Sequence, residues 1–182
     1  MLSADIRKLE FVRVKLVKEQ EFPYAGALDS PESIAEAFGN LLGEADREMF
    51  LTLSLDVRRH PLNATVASIG LLNCSLANGR ELFKSAILSN AANLVLLHNH
   101  PSGNVTPSKE DDTVTKRMLQ AGEILGIPVL DHIIFGGGTR TFYSYKAQGR
   151  LDQLEKKAKQ ELTGTQKQNL QGTTKGKRRQ LR

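Results

Sequence analysis

The sequence predicts an α/β sandwich, a single domain in which helices flank a mixed β-sheet. Its 182 residues suit one domain with a modest appendage. Strand-like patterns alternate with amphipathic helices in the order β-α-β-β-α-β-α-β-β, which is typical of a layered α/β fold. The two strands in the middle are joined by a polar turn at residues 58–63 and should pair antiparallel. The sheet should therefore be mixed.

The first half of the chain contains three predicted strands and one helix. Residues 11–17 alternate loosely between apolar and polar side chains and predict an opening strand. A helix should begin at Pro31, because Ser30 is a favoured N-cap and proline is favoured at the first helical position. Residues 49–57 and 64–72 predict the two strands of the central hairpin.

The second half alternates helices with strands. Helices are predicted at residues 79–90 and 108–125, and strands at residues 94–97, 128–135 and 139–145. The run at 94–97 is wholly apolar, which suits a buried central strand. Residues 98–107 form a loop by composition, and Gly126 should end the second helix as its C-cap.

The basic character of the chain is concentrated at its C-terminal end. The net charge is +5, and residues 155–182 alone carry +7, which leaves −2 for residues 1–154. We therefore expect an N-terminal strand region at 1–24, the main domain at 25–150 and a basic polar tail at 151–182. The first turns of the tail could be helical, and the rest should be largely disordered.

Cysteine content and charge placement bear on the compartment. Cys74 is the single cysteine, so the sequence offers no internal disulfide, and a buried apolar role is expected for it. Basic residues interrupt every apolar run among the first thirty residues, so neither a signal peptide nor a membrane span is expected. These features favour a cytoplasmic protein.

Two histidines and an aspartate form a candidate metal site. His98 and His100 are two residues apart at the end of a buried strand, so both imidazoles should point to the same side. Asp111 falls in the first turn of the next helix, where the helix dipole favours its ionised form. Two imidazoles and one carboxylate, with a fourth position open for water, are typical of catalytic zinc.

Each part of this pattern also has a purely structural explanation. Ser108 and Asp111 have the spacing of a capping box, and histidines at a strand end often have structural roles or face solvent. The combination of H-x-H-P with S-x-x-D across a strand, a loop and a helix is what favours a metal site. His132, which follows Asp131, is expected to be a satisfied core histidine, with support of a metal ligand as the alternative.

The run HNHPSGNVTPSKEDD resembles the JAMM motif of the JAB/MPN metalloprotease fold, and in particular its RadC-like branch. The resemblance extends over residues 46–145, with RELFKSAILSNAANLVLL before the motif and GIPVLDHIIFG after it. It implies a three-layer, cytidine-deaminase-like sandwich. It also implies that His98, His100 and Asp111 bind one Zn²⁺ per chain and that Ser108 stabilises an oxyanion.

The resemblance further implies a glutamate that exchanges protons with the reacting water, at the start of a strand after the first helix. Glu48 matches that position. Glu81 is the alternative, although a glutamate in the first turn of a helix is explained by the helix dipole alone. Members of the branch commonly have an N-terminal helix-hairpin-helix segment, which this sequence is not expected to contain, and a role in DNA repair inherited from the branch is therefore less expected.

Amide hydrolysis by a zinc-activated water, as in a metallopeptidase or isopeptidase, is therefore the leading functional hypothesis. The substrate would be a peptide or protein. The alternative is an accessory protein of DNA repair or of mobile elements, with little or no catalysis. Such a protein would bind DNA phosphates through basic tail residues, namely Lys175, Lys177, Arg178 and Arg179. The tail could equally be a solvated extension, and the oligomeric state is open.

Overall fold

A computed structural model describes residues 9–70 and 78–161 of the chain. The elements in chain order are α1 (Pro31–Gly43), β1 (Met49–Leu55), β2 (Pro61–Ile69), α2 (Gly79–Leu88), β3 (Asn93–His100), α3 (Lys109–Leu125), β4 (Val129–Gly136) and β5 (Phe142–Ser144). A further helix, α4, occupies residues 150–161. Among these described residues, no helix is long and apolar enough to cross a lipid bilayer.

The five strands form one mixed sheet in the order β2-β1-β3-β4-β5. β3 and β4 run parallel, whereas the other three neighbouring pairs are antiparallel. The parallel pair follows from the connection between them, because a helical crossover through α3 returns the chain to the same end of the sheet. The predicted mixed sheet is confirmed.

Helices cover both faces of the sheet, which gives three layers. α1 packs on one face, and its contribution to that core cluster consists of Ile34, Phe38 and Leu42. α2, α3 and α4 pack on the other face, and their central contributions to the second cluster are Leu82, Phe83, Val114, Met118, Leu151 and Leu154. Alternate residues of the central strands supply the two faces, so the sandwich predicted from the sequence is the observed architecture.

Local capping signals set the helix ends as predicted. The Ser30 hydroxyl accepts a hydrogen bond from the Ser33 N–H, and Pro31 occupies the first helical position of α1. Gly126 ends α3 in the left-handed region at φ +69°, a conformation that costs glycine little.

The predicted opening strand at residues 11–17 is wrong. Residues 9–29 contain no strand, and Phe11, Val12 and Val17 are 81–98% exposed. Alternating apolar side chains are compatible with a strand, but a strand forms only when a neighbouring strand pairs with its backbone. In this structure the sheet consists of β1 to β5, and residues 11–17 pair with none of these strands.

Several boundaries also differ from the sequence predictions, among them the start of β2 at Pro61 and the ends of β3 and of the folded body. β3 continues through His100 instead of ending at residue 97, because its pairing with β4 extends to His100 opposite Gly136. At the other end, α4 buries Leu151, Leu154 and Ala158 in the core, so the folded body continues past the predicted boundary at residue 150. The predicted helical turns after that boundary are confirmed. Cys74 and the basic tail beyond residue 161 lie outside the described residues.

Candidate metal centre

β3 delivers the two histidines to the face of the sheet that α2, α3 and α4 cover. Its alternate residues Leu94 and Leu96 belong to the core cluster of that face, and His98 and His100 continue the same row. His98 is 1% exposed, whereas the side chain of His100 is 16% exposed. The strand geometry predicted for the pair is observed, with one imidazole buried and the other at the solvent boundary.

α3 brings Asp111 to the same point. The carboxylate is 2% exposed, with Oδ1 3.2 Å from His98 Nε2 and Oδ2 3.4 Å from His100 Nε2. The two Nε2 atoms are 3.0 Å apart. Within the described ranges these three side chains form a cluster, with ligand atoms within 4.8 Å of one another, that could hold a metal ion.

The donor atoms in this cluster fit a metal cation. His100 Nδ1 lies 2.6 Å from the backbone oxygen of Asn104, and a carbonyl oxygen can only accept. Nδ1 therefore carries the proton in the neutral ring, and the Nε2 lone pair faces the Asp111 carboxylate. Two acceptors held this close repel each other unless a cation or a proton lies between them, which is the environment a divalent metal ligand set provides.

The ionisation of the cluster follows from the same contacts. Burial alone would raise the pKa of Asp111, but interactions with His100, His98 and Ser108 outweigh it and hold that pKa far below its ordinary value. The pKa of His100 is raised, chiefly by its hydrogen bond with Asp111 and to a smaller extent by the charge of Glu48. Asp111 is thus an ionised carboxylate, as a metal ligand must be.

Ser108 caps α3 and contacts the candidate ligand at the same time. Its Oγ accepts from the Asp111 N–H at 3.0 Å and donates to Asp111 Oδ2 at 2.7 Å, while its own N–H donates to Oδ2 at 2.7 Å. This is the capping box that the sequence offered as an alternative to a metal site. The two interpretations are compatible, because the capping contacts fix the carboxylate where it also reaches both histidines.

The structure separates the two candidate glutamates. β1 pairs antiparallel with β3, with Phe50 opposite His98, and continuing this register by two residues places Glu48 opposite His100. Glu48 is half-buried there, and its charge acts on the His100 imidazole. Glu81 is exposed on α2 and forms an ion pair with Lys84 at 2.5 Å. Glu48 is therefore the glutamate that lies beside the cluster.

Asn99 braces the segment that contains Glu48, a contact that sequence reasoning missed. Lying between the two histidines, it points to the opposite face and is fully buried. Its Oδ1 accepts from the Met49 N–H at 2.7 Å, and its Nδ2 donates to the Arg47 carbonyl at 3.2 Å. The signal available in the sequence was a polar residue facing an apolar layer, which requires a buried partner.

The glycine-rich turn between β4 and β5 supports the loop after His100. The Gly137 N–H donates to the His100 carbonyl at 2.8 Å, and the Gly103 N–H donates to the same oxygen at 3.0 Å. A Cβ at Gly137 would lie only 2.7 Å from backbone atoms of Pro101. The three consecutive glycines marked a turn in the sequence, but their approach to the histidine loop was not predicted.

His132 on β4 contacts a candidate ligand directly. Its Nε2 lies 2.8 Å from His98 Nδ1, and burial together with the proximity of His98 lowers the pKa of His132 well below its ordinary value. Asp131 instead faces the other side of the strand, where its carboxylate accepts from Ser144 Oγ and the Lys146 N–H. Of the two interpretations of His132, this contact favours support of a ligand.

Comparisons with known proteins bear on the same residues. Residues 28–150 match the family model of the RadC-like JAB domain. A UPF0758 protein of Desulforamulus reducens is 49% identical over 121 residues, which cover 66% of this chain and 52% of the relative. A UPF0758 protein of Methanosarcina barkeri is 43% identical over 120 residues, with the same shares covered. The chain thus spans about half the length of the curated relatives it matches.

The family match includes both the fold and the candidate site. Its range contains every element from α1 to β5 as well as His98, His100 and Asp111. The resemblance drawn from the HNHPSG run is therefore confirmed by a match that extends well beyond that motif. The chain belongs to the RadC-like JAB domain family.

Proposed function

We propose that this chain is a zinc-dependent hydrolase that cleaves an amide bond, as a metallopeptidase or isopeptidase does. The observation that carries the proposal is the convergence of His98 Nε2, His100 Nε2 and the Asp111 carboxylate on one point. Zinc suits this donor set better than magnesium or calcium, which prefer oxygen ligands. Three protein ligands leave a coordination position for water, which distinguishes catalytic from structural zinc sites.

A zinc ion held there would lower the pKa of a bound water to about 7 and polarise a scissile carbonyl. The remaining steps belong to side chains of this chain. The Glu48 carboxylate, beside His100, accepts a proton from the attacking water and returns it to the leaving amine. The Ser108 hydroxyl donates to Asp111 Oδ2 in this structure, and with substrate bound its proton would turn to the carbonyl oxygen as negative charge develops there.

The exposure of the site supports an extended substrate. His98 is enclosed by the core, whereas His100 reaches the surface, and the neighbouring loop residues Ser102 and Asn104 are exposed. A substrate therefore approaches from the His100 side. A peptide or protein segment can lie along that open side.

The metal content of protein purified without added zinc tests the site. We expect about one equivalent of zinc per chain, and its loss in the His98→Ala/His100→Ala double variant. The measurement is elemental analysis of both proteins in parallel. If neither protein holds metal, Ser108 and Asp111 retain only their capping role.

Hydrolysis of a panel of fluorogenic peptide and isopeptide substrates tests the chemistry. We expect a chelator to abolish turnover, and Glu48→Gln to keep the zinc while losing turnover at least about a hundredfold. Glu81→Gln is the matched control, because Glu81 is exposed and paired with Lys84, and it should keep both metal and turnover. Full activity of Glu48→Gln would remove Glu48 from the mechanism.

DNA binding by the basic tail is the second candidate function. The charge of +7 on residues 155–182 favours it, because basic segments bind phosphates with little sequence preference and with steep salt dependence. We propose to delete residues 164–182 and to compare DNA affinity at two salt concentrations. If affinity survives the deletion, the tail does not bind DNA and is a solvated extension.

A further inference from the structure

A buried chain of hydrogen bonds connects the backbone of one candidate ligand to the ring of another. Thr115 Oγ1 lies 2.6 Å from the Asp111 carbonyl oxygen and 2.6 Å from His132 Nδ1. At its other end, His132 Nε2 lies 2.8 Å from His98 Nδ1. Thr115, His132 and His98 are each at most 1% exposed, so water does not compete for these contacts.

The contact between Thr115 and Asp111 determines which atom donates in each following hydrogen bond. The Asp111 carbonyl oxygen can only accept, so the single hydroxyl proton of Thr115 is donated to it. The contact between Thr115 and His132 must then be donated by the ring, which places a proton on His132 Nδ1.

The contact between His132 and His98 then determines which ring nitrogen of His98 carries the proton. Both ring nitrogens of His132 contact uncharged groups in a fully buried position, where an imidazolium ion without an anionic partner would be costly. His132 is therefore neutral, and its Nε2 offers a lone pair. His98 consequently donates from Nδ1, and its own Nε2 lone pair points toward Asp111.

Aromatic contacts keep the rings in this arrangement. The His132 ring is stacked on Tyr145, with centroids 4.9 Å apart and planes 14° from parallel, and it meets Phe50 at 5.5 Å on another side. The His98 ring is stacked on the same Phe50 at 5.6 Å. Rotation of either ring would break these contacts as well as the hydrogen bonds.

We propose that His132 and Thr115 are positioning residues that hold His98 in its Nδ1–H tautomer, with the Nε2 lone pair directed at the metal position. Their role in orienting a zinc ligand rests on the proposed function. The tautomer of His98 does not, because it follows from the hydrogen bonds alone. Because Thr115 also bonds the backbone of Asp111, one hydroxyl sets the geometry of two ligands contributed by different elements. Groups that orient a metal ligand in this way typically contribute about 10- to 100-fold to metal affinity.

The tautomer can be observed directly in the metal-free protein. Long-range ¹H–¹⁵N correlation spectra, recorded near about pH 8 where unperturbed imidazoles are neutral, distinguish a proton on Nδ1 from one on Nε2. We expect His98 and His132 both to carry it on Nδ1. A proton on His98 Nε2 in the unmodified chain would overturn the proposal.

Substitution of Thr115 tests whether this residue fixes the tautomers of His132 and His98. Thr115→Val removes the acceptor for His132, so we expect mixed tautomers at His98 and zinc affinity lower by about 10- to 100-fold, whereas Thr115→Ser should restore both. Thr113→Val is the matched control, because Thr113 makes the same hydrogen bond to the carbonyl four residues earlier on the exposed side of α3. If Thr115→Val behaves like Thr113→Val in both measurements, the proposal is wrong.

Substitution of His132 provides a second, independent comparison. A glutamine can accept from His98 with its amide oxygen and donate to Thr115 with its amide nitrogen, whereas phenylalanine can do neither. We therefore expect His132→Gln to bind zinc more tightly than His132→Phe, and equal affinities would contradict the proposal. None of these measurements requires turnover, so an inactive protein with Nδ1–H His98 would refute only the proposed function.

Discussion

The turn between β4 and β5 leaves no room for a side chain at Gly137. A Cβ built there would lie 2.7 Å from both the Cα and the carbonyl oxygen of Pro101. Ordinary contacts of a Cβ begin near 3.4 Å, so Gly137→Ala requires a movement of about 0.7 Å. Both opposing atoms belong to the backbone, so no change of rotamer relieves the overlap. Gly137 does not have a positive φ, so the effect of the substitution is steric overlap and not backbone strain.

The displaced residue follows His100 directly. Overpacking of this kind costs about 1–3 kcal/mol of stability. A shift of about 0.7 Å also exceeds the roughly 0.5 Å within which a functional constellation must be held. We therefore expect Gly137→Ala to lower the free energy of unfolding by about 1–3 kcal/mol and to weaken zinc binding by at least about tenfold.

Two measurements on the same preparations check this prediction: urea unfolding of the metal-free protein and zinc titration of the folded protein. Gly39→Ala is the control, because a Cβ at Gly39 would meet nothing within 4 Å and the residue lies inside α1. That variant should gain up to about 1 kcal/mol from helix propensity and should bind zinc normally. Unchanged stability and affinity in Gly137→Ala would refute the reasoning.

Three further substitutions test other contacts by urea unfolding. Asn99→Ala leaves the half-buried Met49 N–H without its partner and should cost about 1–3 kcal/mol; a loss below about 0.5 kcal/mol would contradict that role. Leu96→Ala removes a fully buried side chain from the core and should cost about 2–5 kcal/mol, and a smaller loss would show that the core collapses around it. Burial raises the pKa of the Asp131 carboxyl, so the stability it contributes is full below the ordinary pKa of 3.8 and is lost as the pH rises through the raised value. Asp131→Asn does not ionise, so its stability relative to the original chain should rise as the pH increases from 3.8 through the raised pKa, and the opposite trend would refute this sign.

Most of the fold was predictable because its signals are local. Capping residues placed the start of α1 and both ends of α3, and the wholly apolar run before His98 identified the central strand. The same local alternation predicted a strand at residues 11–17 that the structure does not contain. A strand also needs a partner strand, and no local pattern reports whether the tertiary structure places one beside it.

By itself, the sequence identified the three residues that cluster at the candidate site. The alternation of strand side chains put His98 and His100 on one side, and the S-x-x-D spacing put Asp111 in the first turn of α3. These relations span only a few residues, so backbone geometry dictates them directly.

Only the tertiary structure decided which other side chains surround these three candidate ligands. The antiparallel register of β1 with β3 selects Glu48 over Glu81, and the parallel register of β3 with β4 brings His132 to His98. These partners are separated by tens of residues in the chain. Their proximity depends on strand order and register, which arise from packing of the whole sheet and not from the residues on either side of the motif.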